Sequence, residues 1–179
     1  MANLTLVDNK HLGLIINRLC YQLIEDHGTF NDTVLLGLQP RGVFFAERIV
    51  EKLKTISPKA NIKYGKVDPT FYRDDFRRSD KTLLAQPTEI PYDLEGKKVV
   101  LMDDVLYTGR TIRAGIECLL EYGRPSSIEL MVLIDRRLSR ELPIEPTYLG
   151  LSVDSYDNQK VKVIWNGESG DKVQLLTDK

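Results

Sequence analysis

The chain has 179 residues, of which 42% are hydrophobic and 28% are charged, and its formal net charge is -1. This length suits a single domain over residues 1–179 with a full core. The near-neutral charge argues against wholesale electrostatic binding of nucleic acid, though not against a local basic patch. No apolar run is long enough to span a membrane, and the N-terminus lacks the basic and apolar regions of a secretory signal, so we expect a cytoplasmic protein with no membrane partner.

Cysteine and histidine usage argues against two further kinds of site. Cys20 and Cys118 both fall in amphipathic stretches, which predicts two reduced and packed thiols rather than a disulfide or a catalytic thiol. His11 and His27 are the two histidines of the chain, and both lie near predicted helix ends. A zinc site is therefore not expected.

The first elements alternate short strands with an amphipathic helix. Residues 4–7 predict a short strand, and Asp8 or Asn9 then caps a helix that Gly28 ends. Residues 33–38 predict the next strand. The helix between them has one apolar face with the spacing of a buried stripe, formed by Leu12, Ile15, Ile16, Leu19, Leu23 and Ile24.

A turn follows the second strand and leads into a helix predicted over residues 43–53. The turn contains Pro40, Arg41 and Gly42; the arginine supplies positive charge, and the glycine lets the backbone approach a ligand closely. In an open parallel sheet, ligands bind beyond the carboxyl ends of the strands, so we expect this turn to face a crevice. Taken alone, Pro-Arg-Gly is typical of a plain turn.

Residues 62–67 predict a third strand, and a long charged stretch without clean periodicity follows it at residues 68–81. Loops of this length are usually functional or disordered. Two interpretations of the stretch therefore stay open, a loop that serves a site and a solvated hairpin.

The chain is organised around residues 96–111. The apolar run at 99–102 lies between Gly-Lys-Lys and an acidic pair, which predicts a buried parallel strand. Asp103 and Asp104 come at its carboxyl end, and their carboxylates suit vicinal hydroxyls and a hydrated Mg²⁺. The polar turn at 108–111 begins a helix, whose amides and positive end suit a phosphate. This arrangement can hold a phosphorylated sugar; the alternative is an ordinary strand, turn and helix in which the aspartates cap the helix.

The remaining elements continue the alternation. Residues 127–134 predict another buried strand, and Asp135 and Arg136 follow it, so they should border the same crevice. Residues 148–150 predict the last strand of the sheet. The tail predicts a small hairpin or hood from two β-rich runs, at residues 161–165 and 172–176.

Residues 99–111 resemble the thirteen-residue signature of the type I phosphoribosyltransferases, which bind 5-phosphoribosyl 1-diphosphate (PRPP). Residues 123–128 and 140–144 extend the similarity to those members of the family that combine uracil phosphoribosyltransferase activity with attenuation of pyrimidine operons. The resemblance covers most of the chain. It implies an α/β fold with a mostly parallel open sheet flanked by helices, a flexible lid loop and a small hood.

The resemblance also implies a role for each part of the crevice. Asp103 and Asp104 would hold the ribose hydroxyls, directly or through Mg²⁺ and water, and Arg73 in the lid would reach the pyrophosphate. The ribose-5-phosphate loop would consist of Val105, Leu106, Tyr107, Thr108, Gly109, Arg110 and Thr111. The pyrophosphate loop would be formed by Pro40, Arg41 and Gly42, and the base side by Asp135 and Arg136.

The implied reaction transfers the phosphoribosyl group from PRPP to uracil and gives uridine monophosphate (UMP) and pyrophosphate, with Mg²⁺ as cofactor. Such a transition state needs positioning and electrostatics more than a covalent nucleophile, and the motifs supply carboxylates, arginines and amides. Purine-salvage relatives carry aspartate where this chain has Tyr107, which disfavours a purine. A phosphoribosyltransferase for another base is the alternative, and the sequence identifies no general base.

The second class of function is an RNA-binding attenuation regulator that senses uridine nucleotides. Similar members of the family bind leader RNA across a basic face, and this chain keeps three arginines for such contacts: Arg18, Arg136 and Arg140. Leu14, Asp26 and Leu151 stand where basic residues are expected, and each lost phosphate contact weakens binding. We therefore rank the enzyme above the regulator. From the resemblance we also expect a homodimer or a higher homo-oligomer.

Overall fold

Strands and helices alternate along most of the chain in the computed structural model, which describes residues 2–74, 85–156, 158–167 and 170–177. In chain order they are β1 (Ala2–Val7), α1 (Asn9–His27), β2 (Thr33–Leu38), α2 (Gly42–Ile56), β3 (Lys63–Val67), β4 (Lys98–Leu106), α3 (Arg110–Leu120), β5 (Ser127–Arg136), β6 (Tyr148–Val153), β7 (Gln159–Gly167) and β8 (Gly170–Thr177). Single-turn 3-10 helices lie at Thr70–Tyr72 and Arg137–Ser139. Within these ranges no helix is long and apolar enough to cross a membrane. Residues 75–81 of the predicted lid lie outside the described residues.

Five of the described strands form a parallel sheet in the order β3-β2-β4-β5-β6. Parallel neighbours need a crossover between them, and α2 and α3 supply two of these crossovers. The strand order reverses next to β4, so the chain leaves the sheet in opposite directions at the carboxyl ends of β2 and β4. The predicted α/β fold, a parallel sheet flanked by helices, is confirmed.

The core occupies both faces of this sheet because successive side chains of a strand point to opposite sides. Val100 and Met102 pack with the apolar faces of α1 and α2. Val99 and Leu101 pack on the other face with α3. Burial on both sides explains why β4 has a continuous apolar run rather than an alternating one.

The end of β4 differs from the prediction. We expected the strand to stop at Met102, but it continues through Asp103 and Asp104 to Leu106. The last described β2–β4 pair joins Gly37 to Met102, whereas pairing with β5 continues as far as Leu106. The acidic pair therefore lies on a strand that has lost one neighbour, and the space left by β2 is the crevice.

Other boundaries shift by a few residues. α2 begins at Gly42 and ends at Ile56, beyond the predicted 43–53. Asp135 and Arg136 belong to β5 rather than to the loop after it, because their pairing with β6 continues. These extensions come from tertiary pairing, which local patterns do not record.

The hood is an antiparallel sheet of three described strands in the order β1-β8-β7. The hairpin predicted for the tail is confirmed as β7 and β8, with residues 168–169 outside the described part. β1 completes this sheet, a pairing between the two ends of the chain that its sequence did not indicate. Val161, Val163 and Val173 of the hood join the core cluster of α1 and α2, so the hood packs against these helices.

Candidate active site

Two buried aspartates on the free end of β4 lie at the centre of the candidate site. Asp103 is 8% exposed and Asp104 is 4% exposed. Because they are successive residues of a strand, their side chains point toward opposite faces of the sheet. Asp103 lines a cavity of about 230 Å³ beside the loop that precedes α3, and Asp104 lines a cavity of about 560 Å³ beneath the hood. The pair therefore stands between two cavities.

Burial makes the negative charge of this pair costly. It raises the pKa of Asp103 well above the usual carboxyl range, and the neighbouring Asp104 adds to that rise. Burial also raises the pKa of Asp104, although Arg41 opposes this shift. Asp103 Oδ1 accepts a hydrogen bond from the Asp104 backbone N–H at 2.8 Å, and Asp104 Oδ2 accepts one from Arg41 Nε at 3.0 Å. A buried pair of this kind favours a cation beside it.

The N-terminus of α2 touches the acidic pair through Gly42. A Cβ at this position would lie 2.5 Å from the carbonyl oxygen of Met102 and 2.9 Å from Cα of Asp103. Both obstacles are backbone atoms of β4, so they could not move aside as a side chain would. Glycine at residue 42 therefore permits the close contact between α2 and β4 that shapes this side of the crevice.

The rest of the same turn brings a positive charge to the crevice. Besides its bond to Asp104, Arg41 donates from a terminal nitrogen to the carbonyl oxygen of Val163 at 2.5 Å. Pro40 is exposed and follows a cis peptide bond with Gln39. The predicted pyrophosphate turn thus lies beside the carboxylates, and its arginine connects them to the hood.

The predicted ribose-5-phosphate loop borders the smaller cavity, which residues 105–112 line together with Arg73, Asp74 and Asp103. Gly109 has φ 92°, a left-handed conformation that favours glycine, and α3 begins at the next residue. The first backbone N–H groups of a helix have no helical acceptor, which makes this loop suited to a phosphate. Backbone N–H groups of Glu141 and Leu142 donate to the carbonyl oxygen of Thr108 at 3.0 Å and 3.2 Å, so the segment after β5 supports the loop.

Arginines connect the start of the predicted lid to this loop. Arg73 donates from Nη1 to Thr111 Oγ1 at 3.4 Å. Arg110 forms ion pairs with Asp74 and Glu141, each with a nitrogen–oxygen distance of 2.5 Å. These two acidic partners could not be singled out from the sequence, because their pairing with Arg110 depends on segments that are far apart in the chain.

The larger cavity lies between the acidic pair and the hood, with Tyr107 and Arg136 on one side and residues 160–163 on the other. Arg136 is buried, and its guanidinium carbon lies 4.0 Å from the centroid of the Tyr107 ring. It donates from Nε to Ser155 Oγ at 2.8 Å and from Nη2 to the carbonyl oxygen of Gln159 at 2.9 Å. These bonds fix the tyrosine and the arginine as one wall of the cavity.

The three arginines proposed for RNA contact have separate environments. Arg18 donates to two carbonyl oxygens at the start of β6, at 3.0 Å and 2.7 Å. Arg136 is buried against the larger cavity, and Arg140 forms an ion pair with Asp135. Each is thus engaged within the chain, and contact with RNA stays a prediction. The ion pair also gives Asp135 a partner other than a substrate base.

The two thiols are packed as expected. Cys20 and Cys118 are buried and free, which confirms two packed thiols, and burial raises the pKa of Cys20 to about 12. In the part of the chain that the structure describes, no group of three or more His, Cys, Asp or Glu side chains is arranged to hold a metal ion.

The hood wall of the larger cavity is another part of the site that could not be predicted from the sequence. Residues 160–163 alternate lysine and valine, which predicts a strand with one apolar face. Nothing in that pattern says which part of the molecule the strand will face. The same holds for Trp165, which follows in β7 and lies near Asp104.

Comparisons with known proteins agree with this geometry. The family model for the phosphoribosyl transferase domain matches residues 3–165. A protein of Gloeothece citriformis named "Bifunctional protein PyrR" is 44% identical over 162 residues, which cover 90% of each chain. A protein of the same name from Bacillus subtilis is 39% identical over 160 residues, or 88% of this chain and 87% of the other. These matches confirm the resemblance carried by residues 99–111.

Solved structures extend the comparison to the fold. A hypoxanthine-guanine phosphoribosyltransferase from Bacillus anthracis aligns with a TM-score of 0.67 and 17% identity, covering 84% of this chain and 83% of that one. A hypoxanthine phosphoribosyltransferase from Staphylococcus aureus aligns with a TM-score of 0.65 and 21% identity, covering 84% and 77%. At these identities the similarity concerns the fold alone.

Proposed function

We propose that this chain, which belongs to the phosphoribosyl transferase family, transfers the phosphoribosyl group of PRPP to uracil and releases UMP and pyrophosphate. The observation that carries the proposal is the buried pair Asp103 and Asp104 between two cavities. A ribose bound over the pair would place its 5′-phosphate in the smaller cavity, against residues 105–111, and its C1 toward the larger one. The uracil nitrogen then bonds to C1 as the bond from C1 to the pyrophosphate oxygen breaks, and the proton of that nitrogen passes to the released pyrophosphate or to water.

The charges around the crevice support this displacement. Positive charge develops on the ribose, where the carboxylates of Asp103 and Asp104 lie, and negative charge develops on the leaving pyrophosphate. Arg41 lies at the crevice beside Asp104, and Arg73 lines the smaller cavity. Preorganised charges of this kind lower the barrier without a covalent nucleophile, provided that the reactants are held in line. We assign Arg41 and Arg73 to the pyrophosphate.

The acidic pair also fits Mg²⁺. This ion usually takes one or two carboxylates in proteins and fills its other positions with substrate oxygens and water. Burial raises the pKa of both Asp103 and Asp104, so a nearby cation stabilises their ionised forms. When it is bound with PRPP, Mg²⁺ neutralises charge on the pyrophosphate. The two aspartates orient the ribose hydroxyls beside it.

The hood offers a backbone edge that suits a pyrimidine. β7 is an edge strand among the described strands of its sheet, and edge strands present unpaired N–H and C=O groups. Because Arg41 reaches the carbonyl of Val163, the backbone groups of this residue point away from β8, and alternation directs those of Val161 the same way. Uracil presents a ring N–H between two carbonyl groups, which a strand edge of this kind complements. The tyrosine at residue 107 further favours a pyrimidine over a purine.

A second function is supported by the relatives, whose name describes them as bifunctional. We propose leader RNA as a weaker partner, because Leu14, Asp26 and Leu151 stand where basic residues would be needed. We also propose at least a homodimer in solution. Exposed apolar side chains on α1 and on the outer strand β6 support this assembly: Leu14, Tyr21 and Leu151.

Asp104→Asn tests the role of the acidic pair. The change removes a charge but keeps the size of the side chain and an oxygen that accepts from Arg41. We expect kcat/KM for PRPP to fall by about 10²–10³-fold, the usual effect of removing one preorganised electrostatic group. The thermal midpoint should not fall, since a buried charge is lost.

Glu145→Gln is the matched control, because it removes an exposed carboxylate outside both cavities. It should leave pyrophosphate release unchanged, whereas EDTA should stop release by the unmodified protein. Full activity in Asp104→Asn would remove the acidic pair from the proposed mechanism.

A further inference from the structure

An ion pair between α2 and the hood lies behind the candidate site. Arg48 donates from Nε to Asp171 Oδ2, and from Nη2 to Asp171 Oδ1 at 2.9 Å. The two bonds make a bidentate ion pair. The same Nη2 donates to Asn166 Oδ1 at 2.9 Å. Asn166 belongs to β7 and Asp171 to β8, so a single side chain of α2 holds both strands of the hood hairpin. We call Arg48, Asn166 and Asp171 the hood clamp.

Hydrogen bonds within the hood strengthen this arrangement. The backbone N–H of Asn166 donates to Asp171 Oδ1 at 2.7 Å, and the backbone N–H of Asp171 donates to Asn9 Oδ1 at 3.0 Å. Arg48 and Asp171 expose only 18% and 16% of their side chains. Removing one partner from an ion pair that is this well shielded and bonded at several points costs more than breaking an exposed pair.

The clamp also determines where Trp165 lies. The Arg48 guanidinium carbon is 4.4 Å from the centroid of the Trp165 ring, and the ring of Phe45 stacks with it at 6.5 Å between centroids. The indole Nε1 is buried and has no hydrogen-bond partner among the described residues. It is nevertheless close enough to Asp104 to help lower the pKa of that carboxyl against the effect of burial.

The hood is also linked to the acidic pair through Arg41, which joins Asp104 to Val163 of β7. Trp165 and Val163 both belong to β7, the strand that forms the wall of the larger cavity. In contrast, none of the described hood residues lines the smaller cavity. A change that weakens the attachment of the hood should thus affect the larger cavity, where the base is proposed to bind, more than the smaller cavity, where the phosphate is proposed to bind.

We propose that Arg48 and Asp171 are positioning residues for the transfer reaction, because they hold the hood so that Trp165 stays packed against Arg48 and Phe45 and β7 closes the larger cavity. This inference rests on the proposed function for the identity of the base. Arg48 touches no substrate in this account; it acts through Trp165 and through the position of β7.

The test compares Arg48→Gln with Lys54→Gln, which removes an exposed positive charge from the same helix. With all assays run well below the thermal midpoint, Arg48→Gln should raise KM for uracil about tenfold, equivalent to ~1.4 kcal/mol, and leave KM for PRPP within about twofold. In Arg48→Lys the KM for uracil should lie between those of the unmodified protein and Arg48→Gln, because lysine keeps the positive charge but cannot form the bidentate pair. Lys54→Gln should match the unmodified protein. If Arg48→Gln does not fold, Asp171→Asn takes its place.

Fluorescence gives a second measurement that does not depend on turnover. Trp165 is the one tryptophan of the chain, so its emission reports on the hood directly. Titration with PRPP and Mg²⁺ should change this emission in the unmodified protein and in Lys54→Gln, and the change should be at least halved in Arg48→Gln.

Two outcomes would overturn the inference. One is a lower thermal midpoint in Arg48→Gln with an unchanged KM for uracil, which would make the clamp purely structural. The other is the same fluorescence change in Arg48→Gln as in the unmodified protein. Failure of the proposed function is distinct: the unmodified protein would release no pyrophosphate with uracil, while the comparison of PRPP-induced fluorescence would still decide whether the clamp positions Trp165.

Discussion

Asp103 carries its charge at a cost to stability. Burial raises the pKa of its carboxyl well above the ordinary value, so the folded protein holds this proton more tightly than the unfolded chain does. The stability that this proton contributes is fully present below the pKa of the unfolded chain, and it is lost as the pH rises through the pKa of the folded protein. Ionising the two carboxyl groups in the folded protein therefore costs stability, and a bound cation would offset that cost.

Asp103→Asn should consequently stabilise the fold while it impairs the reaction. Asparagine keeps the oxygen that accepts from the Asp104 backbone N–H and removes the buried charge. We expect a thermal midpoint several degrees higher at pH 8, given that ~1 kcal/mol shifts the midpoint by about 2–4 °C in a chain of this length, and a smaller gain at pH 5. Melting curves of both proteins at the two pH values measure this. A lower midpoint for the variant at pH 8 would contradict the pKa argument.

Residue types and spacing were enough to indicate Asp103, Asp104 and the turn before α3 as candidate site residues, because they all lie in one continuous stretch of the sequence. The same reasoning did not reach Arg48 or Trp165. Their contacts join α2 to the hood across more than a hundred residues, and neither residue stands in a recognisable local motif. The motif at the site could therefore be predicted from the sequence, whereas the residues that hold the hood beside it could not.

At the scale of elements, the contact between α2 and β4 determines the shape of the crevice. The helix starts directly against the backbone at Met102 and Asp103, and this closeness depends on the missing side chain at Gly42. The Pro-Arg-Gly turn looks like an ordinary turn in the sequence, but in the fold its glycine packs directly against β4.

Gly42→Ala should therefore destabilise the protein and reduce its activity. The added Cβ would meet backbone atoms at 2.5 Å and 2.9 Å, which forces α2 and β4 apart, and overpacking of this kind costs about 1–3 kcal/mol. Gly13→Ala in α1 is the matched control. A Cβ there meets nothing within 4 Å, and alanine favours the helix, so this variant should gain up to ~1 kcal/mol.

Denaturant unfolding compares the two glycine variants with the unmodified protein. Equal free energies of unfolding for Gly42→Ala and Gly13→Ala would mean that the close contact between α2 and β4 is absent in solution. The comparison separates the contact from the general effect of replacing glycine in a helix, since both positions are helical.

Periodicity predicted most strands and helices but not the length of β4. The acidic pair looked like the end of a strand because carboxylates are rare in buried sheet positions. Pairing with β5 nevertheless carries the strand through Asp103 and Asp104 to Leu106. The longer strand matters for function, because it gives the two carboxylates opposite directions. The addition of β1 to the hood is a similar case of pairing between distant segments.

At the scale of the whole molecule, charge and exposed surface bear on the second proposed function. A net charge of -1 gives no long-range attraction to a polyanion. Leu14 and Leu151, which occupy positions expected to be basic, are exposed apolar side chains near Arg18. This surface suits contact with a second copy of the chain better than contact with phosphates, and light scattering that reports a monomer would contradict the proposed dimer.

We expect binding to a pyrimidine-operon leader hairpin to be weak or absent at physiological salt and unchanged by UMP. Filter-binding titrations at two salt concentrations, with and without UMP, measure this. Submicromolar binding that UMP strengthens, with a salt dependence of several phosphate contacts, would show that the remaining arginines are sufficient for RNA recognition.

The central claim is that this phosphoribosyltransferase acts on uracil, and a base panel tests it most directly. Purified protein is supplied with PRPP and Mg²⁺, and pyrophosphate release is followed with uracil, hypoxanthine or orotate. We predict uracil-dependent release at least about 100-fold faster than release with either other base, a ratio that hydrogen-bonded recognition can supply. Release with hypoxanthine or orotate but none with uracil would contradict the uracil assignment and leave the family membership intact.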